Sequence, residues 1–195
     1  MPLIPPALSL PPDQWKDCAQ CAAAYAAALA DPTLQIEPTR QLKTDARAWL
    51  HTELGKVTSQ GYWPSFTSTE SLLDESTTAF QRRPQNGATR LIPITNLYND
   101  QPHPIWTPLE NLLFRFIHDY HHAQIEADAT FYGERSVTRF ILTELGETNT
   151  PPFHWSGGRL IAHFLASEPL GQSAYFIQTG IYPRQIIAAN ILPLI

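Results

Sequence analysis

Three histidines fall within five residues, His118-Asp119-Tyr120-His121-His122, and they sit in a segment that can only be a helix. Thr107-Pro108-Leu109-Glu110 opens that helix with an N-cap threonine, a proline at the first helical position and a glutamate that closes a capping box. The pattern then predicts a helix to about Ala127. At about 100° per residue, Leu109, Leu112, Leu113, Phe116, Tyr120 and Ala127 form one apolar stripe, the expected main core face. His118 and His122 lie nearly opposite, where a surface helix would carry charge. They are flanked instead by Phe114 and Ile125, while Arg115, Asp119 and Glu126 form a third stripe. A helix buried on two sides needs neighbours on both, so the chain must pack in helical layers around it.

The rest of the sequence supports a single, mainly helical domain over residues 13–195, preceded by an extended arm over residues 1–12 with its five prolines. Hydrophobic residues make up 43% of the 195, enough for a core of that size. Further helices are predicted from Asp13 to about Ala30, from Thr39 to about Thr58, and from near Glu134 to Gly146. Another is predicted from Gly158 to Gly180 with a kink at Pro169, and a short one from Arg184 to Leu192. Residues 59–107 carry turn signals and read as a long irregular segment. Its one minor β element is near 91–95, where Pro93 restricts the strand to an edge. Cys18 and Cys21 lie on or beside the apolar stripe of the first helix, without the preceding strand of a redox motif, and read as packing residues.

A net charge of -5 argues against a nucleic-acid backbone as the main partner. No apolar run reaches the roughly 18 residues of a membrane span, and the proline-rich start lacks the basic region of a signal peptide, which points to a cytoplasmic protein.

Two histidines at i and i+4 can share one ion, since their side chains lie one turn apart on one face. The spacing alone is weak; its apolar flanks strengthen it. Two carboxylates also lie on apolar stripes. Glu134 shares a face with Val137, Thr138, Ile141 and Leu145. Glu168 follows Ile161, Phe164 and Leu165, and precedes Gln172 and Tyr175. A buried carboxylate is costly unless paired, hydrogen-bonded or bound to metal. One polar site inside the bundle, within residues 108–180, accounts for all of these. His118, His122 and Glu134 are the expected metal ligands. Glu168 is a fourth ligand or a base, and Gln172 and Tyr175 line the site. Two His and one carboxylate suit Fe(II), Mn(II) or Zn(II).

The stretch Phe114-Arg115-Phe116-Ile117-His118-Asp119-Tyr120-His121-His122, with Phe131 and Gly133-Glu134 after it, resembles a set of uncharacterised bacterial and phage proteins. Their pattern is F-R-x-x-H-D-x-x-H, then a Phe and Gly-Glu. Ser167-Glu168-Pro169-Leu170-Gly171-Gln172, with Tyr175, Gly180, Tyr182-Pro183 and Gln185, resembles a second block of the same set. The likeness spans about residues 92–190 and implies site positions rather than a reaction. A looser likeness is to aromatic amino acid hydroxylases, which hold iron with two His on one helix and a distant Glu; their His spacing is i, i+5. A zincin would carry His-Glu-x-x-His, and here Asp119 stands in place of that Glu, a shorter acid less well placed as a base.

Two function classes follow. The first is a metal-dependent enzyme, of oxygenase or hydrolase type, acting on a small-molecule substrate. Iron is favoured because Asp119 replaces the zincin acid. The second is a non-catalytic binding protein. Its His/Glu cluster is a polar network that fixes helix register, and its aromatic, Gln-rich C-terminal helix offers a partner or homo-oligomer surface.

Overall fold

The computed structural model describes residues 12–68, 73–82, 88–97, 99, 102–146 and 158–195. Apart from Pro12, which begins the first helix, the expected N-terminal arm lies outside them. The fold is mainly helical, with one small parallel sheet. No helix of the described residues is long and apolar enough to cross a membrane.

Helix α1 (Pro12–Ala30) buries Cys18, Tyr25 and Ala28 completely, and both cysteines are free thiols in apolar surroundings. Burial pushes the Cys21 thiol up to about 11, which suits a packing role and not a reactive one. Asp31 ends α1 and caps a short 3-10 turn by accepting from Thr33 N at 2.9 Å. Helix α2 (Arg40–Ser59) starts where Thr39 Oγ1 accepts from Leu42 N at 3.1 Å. It buries Leu42, Ala46, Trp49, Leu50, Glu53 and Val57.

The stretch 59–107 holds more order than its turn signals suggest. Strand β1 (Tyr62–Thr67), helix α3 (Leu73–Gln81) and strand β2 (Arg90–Thr95) lie within it. The strands pair in parallel, from Tyr62 opposite Arg90 to Thr67 opposite Thr95. Each strand has an unpaired outer edge, which is how Pro64 and Pro93 are tolerated. Tyr62, Ile92 and Ile94 turn inward, while Trp63 and Leu91 stand exposed on the other face.

Helix α4 (Pro108–Gln124) begins at the predicted capping box, with Thr107 N donating to Glu110 Oε2 at 2.7 Å and Glu110 N to Thr107 Oγ1 at 3.3 Å. Its buried face corrects the predicted stripe. Leu112 and Phe116 are buried as expected, but Leu109 is 57% exposed, and Ile117 and His122, which lie off that stripe, are fully buried. Helix α5 (Phe131–Glu144) starts earlier than predicted because Thr130, not a residue next to Glu134, is its N-cap.

The kink expected at Pro169 is a π-helical turn, Ser167–Gln172, between α6 (Gly158–Ala166) and α7 (Ser173–Thr179). Its wider ring leaves room for a proline that a regular helix would exclude. Gly180, at φ 71°, closes α7.

The helix expected over Arg184–Leu192 does not form. Ala188 bridges antiparallel to Gln35, with Ile36 N donating to Ile187 O at 2.8 Å and Ala189 N to Leu34 O at 2.9 Å. The extended form suits the burial: Ile187 packs with the core around α2, α4, α6 and the strands, while Ile186 and Ala188 pack with the core around α1 and α7. Neighbours in sequence that face opposite cores need a period of two.

Candidate metal centre

The two histidines and the glutamate read from the sequence converge between α4 and α5. His118 and His122 come one turn apart from α4, their rings in an edge-to-face contact with centroids 4.6 Å apart. Glu134 comes from the first turn of α5. Its Oε2 lies 3.0 Å from His118 Nε2 and 3.4 Å from His122 Nε2. The three residues each offer a ligand atom, all within 4.8 Å of one another, and this group can hold a metal ion. Bonds of about 2.1 Å to one ion place its ligand atoms about 3.0 to 3.4 Å apart, between right-angled and tetrahedral arrangements.

Burial makes the arrangement chemically pointed. His122 is wholly inaccessible and Glu134 only 9% exposed. His118 Nε2, His122 Nε2 and Glu134 Oε2 are all buried, and none has a hydrogen-bond partner outside this trio. Three buried ligand-type atoms facing one point are costly unless a cation satisfies them, either a metal ion or, without one, the proton on His118. In the metal-free protein the pair His118–Glu134 carries opposite charges. Burial opposes the charge on both; the Glu134 carboxylate overrides it and holds the His118 imidazolium up to about 10, while His118 in turn holds Glu134 down to about 2.

The surroundings aim the ligands. Helix α4 ends in a turn with Ile125 N donating to His121 O at 3.2 Å and Ala127 N to His122 O at 2.9 Å, around Glu126 at φ 55°. That turn brings the Ala127 carbonyl 3.3 Å from His122 Nδ1, so Nδ1 carries the hydrogen and Nε2 keeps its lone pair for the site. Asp119 Oδ1 lies 3.8 Å from His118 Nδ1, and its Oδ2 accepts from the buried Ser76 Oγ at 2.6 Å. Regular helix geometry points Asp119 away from the His face, yet α3 reaches it from the side through Ser76. Gly133 makes the approach of α5 possible: a Cβ there would lie 1.9 Å from Asp128 O and 2.7 Å from Asp128 Oδ1. Phe114 covers the site, its ring centroid 6.2 Å from that of His118.

The other predicted site residues are engaged elsewhere. Glu168, on the π turn, has Oε2 3.0 Å from His103 Nε2 and accepts from Gln185 Nε2 at 3.2 Å through Oε1. His103 Nδ1 accepts from two backbone N–H groups, Ile105 at 3.0 Å and Trp106 at 2.8 Å, so its hydrogen is on Nε2 and points to Glu168. Gln172 donates to Pro183 O at 3.3 Å, and Tyr175 packs against Tyr25. His121 turns toward Glu53, Nε2 to Oε2 3.6 Å.

Sequence reasoning missed His103, Ser76 and Glu53. Glu53 had a signal, since it falls at helical spacing after Ala46, Trp49 and Leu50 on the buried face of α2. His103 and Ser76 had none, because both lie in the stretch without clear periodicity. Comparison with protein-family models, with curated proteins and with solved structures finds no match.

Proposed function

We propose that the protein is a metal-dependent enzyme that holds one divalent first-row ion through His118 Nε2, His122 Nε2 and Glu134 Oε2. The observation that carries this is the convergence of three buried ligand atoms on one point, with no partner outside the trio. Two imidazoles and one carboxylate on a single side of an ion leave its other positions to water or substrate, the donor set of non-haem Fe(II) oxygenases, and we favour iron on that ground. The same set on zinc or manganese would supply an activated water for hydrolysis of a small ester, amide or phosphate substrate. The chain's own residues then have defined parts. Glu134 supplies the negative charge that draws a cation in. The Ala127 carbonyl fixes the His122 tautomer, Asp119 lies behind His118, and Phe114 limits water beside the site. Glu168 acts through its contact with His103 and not on the ion.

A second reading rests on the His118–Glu134 ion pair, which balances charge without any metal. In it the cluster is a structural network that sets the register of α4 on α5, and the protein binds a partner without catalysis.

Elemental analysis separates the two. The protein is purified without a His tag, beside a His118→Ala/His122→Ala variant shown to be folded by circular dichroism. Stoichiometric iron, manganese or zinc in the wild type, lost in the variant, supports the enzyme reading. No metal in either, and no binding when each ion is added back, leaves the structural network.

A further inference from the structure

The two prolines of the small sheet occupy equivalent places, and the ladder fixes which. Arg90 N donates to Gly61 O and Asn96 N to Thr67 O, both at 2.8 Å, at the two ends of the parallel pairing. Along a strand, alternate residues turn their backbone groups to the same neighbour. On β2, Arg90, Ile92 and Ile94 therefore face β1, and Leu91, Pro93 and Thr95 turn their backbone outward. On β1 the carbonyls of Gly61 and Thr67 face β2, so Trp63 and Ser65 do too, and Tyr62, Pro64 and Phe66 turn theirs outward. Each proline stands at the middle of the outer edge of its strand, where the N–H it lacks would have pointed away from the sheet.

A strand edge is otherwise a template for a further strand, and apolar side chains beside it strengthen the pairing. Here Trp63 is 49% exposed and stands opposite Leu91, 62% exposed, on the outer face, with Phe66 exposed on β1. The two edges are guarded differently. On β2 a side chain of α4 assists Pro93: Arg115 Nη1 donates to the outward carbonyl of Thr95 at 3.4 Å and to Leu97 O at 2.8 Å. On β1 the guard is Pro64, whose ring also takes the space of an incoming backbone. We propose that Pro64 closes the β1 edge to strand addition, and that the association it prevents joins two copies of this chain, edge to edge and antiparallel. A two-fold axis normal to the sheet pairs β1 with itself and sets both Trp63–Leu91 patches on one face of a four-stranded sheet. The β2 edges then lie outermost, where Pro93 and Arg115 stop growth at two copies. The inference uses the sheet alone and is independent of the metal reading.

The test is sedimentation velocity of the full chain over a range of concentrations, on the wild type, Pro64→Thr and Ser65→Thr, combined with amide hydrogen exchange. Threonine suits a strand and restores the outward N–H without adding apolar area. Ser65 turns its N–H to β2, so Ser65→Thr raises strand propensity without opening the edge. We expect Pro64→Thr to reach about twice the wild-type mass as concentration rises, and to stop there. Exchange of the outward Phe66 N–H should slow by about tenfold or more in that associated state, and Ser65→Thr should match the wild type in both. If Pro64→Thr fails to fold, Pro64→Ala restores the same N–H with a smaller side chain and decides. A folded Pro64 variant with the wild-type mass at every concentration, association without slowed exchange at Phe66 N–H, or the same association in Ser65→Thr would each overturn the proposal.

Discussion

The carbonyl of Ala127 stands 3.3 Å from His122 Nδ1, and the turn that puts it there passes through Glu126 at φ 55°. A side chain in that left-handed conformation costs about 1 kcal/mol relative to glycine. Glu126→Gly should therefore raise stability by a few tenths to about 1 kcal/mol once the greater freedom of the unfolded chain is offset. Metal affinity should be unchanged. Chemical denaturation and a metal titration check both, and a clear loss of stability would mean that the Glu126 side chain contributes something beyond its backbone conformation.

Gly133 is irreplaceable for a different reason. A methyl group at 1.9 Å from a backbone carbonyl has to move the Asp128 turn or the start of α5. Gly133→Ala should cost about 1–3 kcal/mol or more and weaken metal binding by displacing Glu134. Thermal melts with and without added zinc measure both effects in one experiment.

The charge pair predicts opposite pH responses for the metal-free and metal-loaded protein. Glu134 is held low, so its contribution is complete above the ordinary carboxylate value near 4.3 and fades as pH falls toward about 2. His118 is held high, so its contribution is complete below about 6.5 and fades as pH rises toward about 10. Metal-free stability from this pair should thus be greatest between those ordinary values and decline toward alkaline pH. Metal must displace the His118 proton, so the melting shift on adding metal should grow from pH 6 to pH 8. Proton release of about one per ion, read by calorimetry in buffers of different ionisation enthalpy, would accompany it.

Ser76 reaches the site through Asp119. Ser76→Ala should cost about 1 kcal/mol and lower metal affinity by about tenfold, the usual scale for removing a partner of a ligand's neighbour. Competition with a chromophoric chelator gives the affinity. An unchanged value would show that Asp119 does not tune His118.

Glu168→Gln separates the two readings of that residue. As a ligand or base it would be indispensable. As the acceptor for His103 and Gln185, a glutamine keeps the His103 bond through its one oxygen, and its NH2 donates to Gln185 once that amide flips, at a cost of about 1 kcal/mol. We expect full metal content, with Glu168→Leu destabilising by about 1–3 kcal/mol because the His103 hydrogen is left unpaired.

The starts of α2 and α4 and the grouping of His118, His122 and Glu134 were legible because each has a local cause. Thr39 and Thr107 announce their helices by capping chemistry. Glu134 stood out as a charge on the Val137–Ile141 face. The β1–α3–β2 stretch was hidden because Pro64 and Pro93 break the alternation of each strand, and because parallel pairing joins residues 28 apart across a helix, with no tight hairpin turn to announce it. The segment 184–192 misled for the converse reason. Its isoleucines suit a helix, but the Ile36 N–H and Leu34 carbonyl that pair with Ile187 O and Ala189 N and decide its form lie far away in sequence. Glu168 was read as a buried carboxylate near His118 and His122; it is only partly buried and lies beside His103, which the tertiary fold alone brings to it.

The π turn at Ser167–Gln172 has a consequence for how this chain tolerates length changes. Phe164 and Leu165 belong to one core, Leu170, Ala174 and Ile177 to the other, and the widened turn is the joint between them. A π turn is in effect a helix with one residue too many, and each residue turns a helix by about 100°. Deleting Pro169 would let α6 and α7 run on as a regular helix, with every side chain of α7 rotated off its seat against α1. An insertion or deletion at this joint is therefore a change of register, felt along the whole of α7, whereas the same change in a surface loop would be absorbed within a few residues.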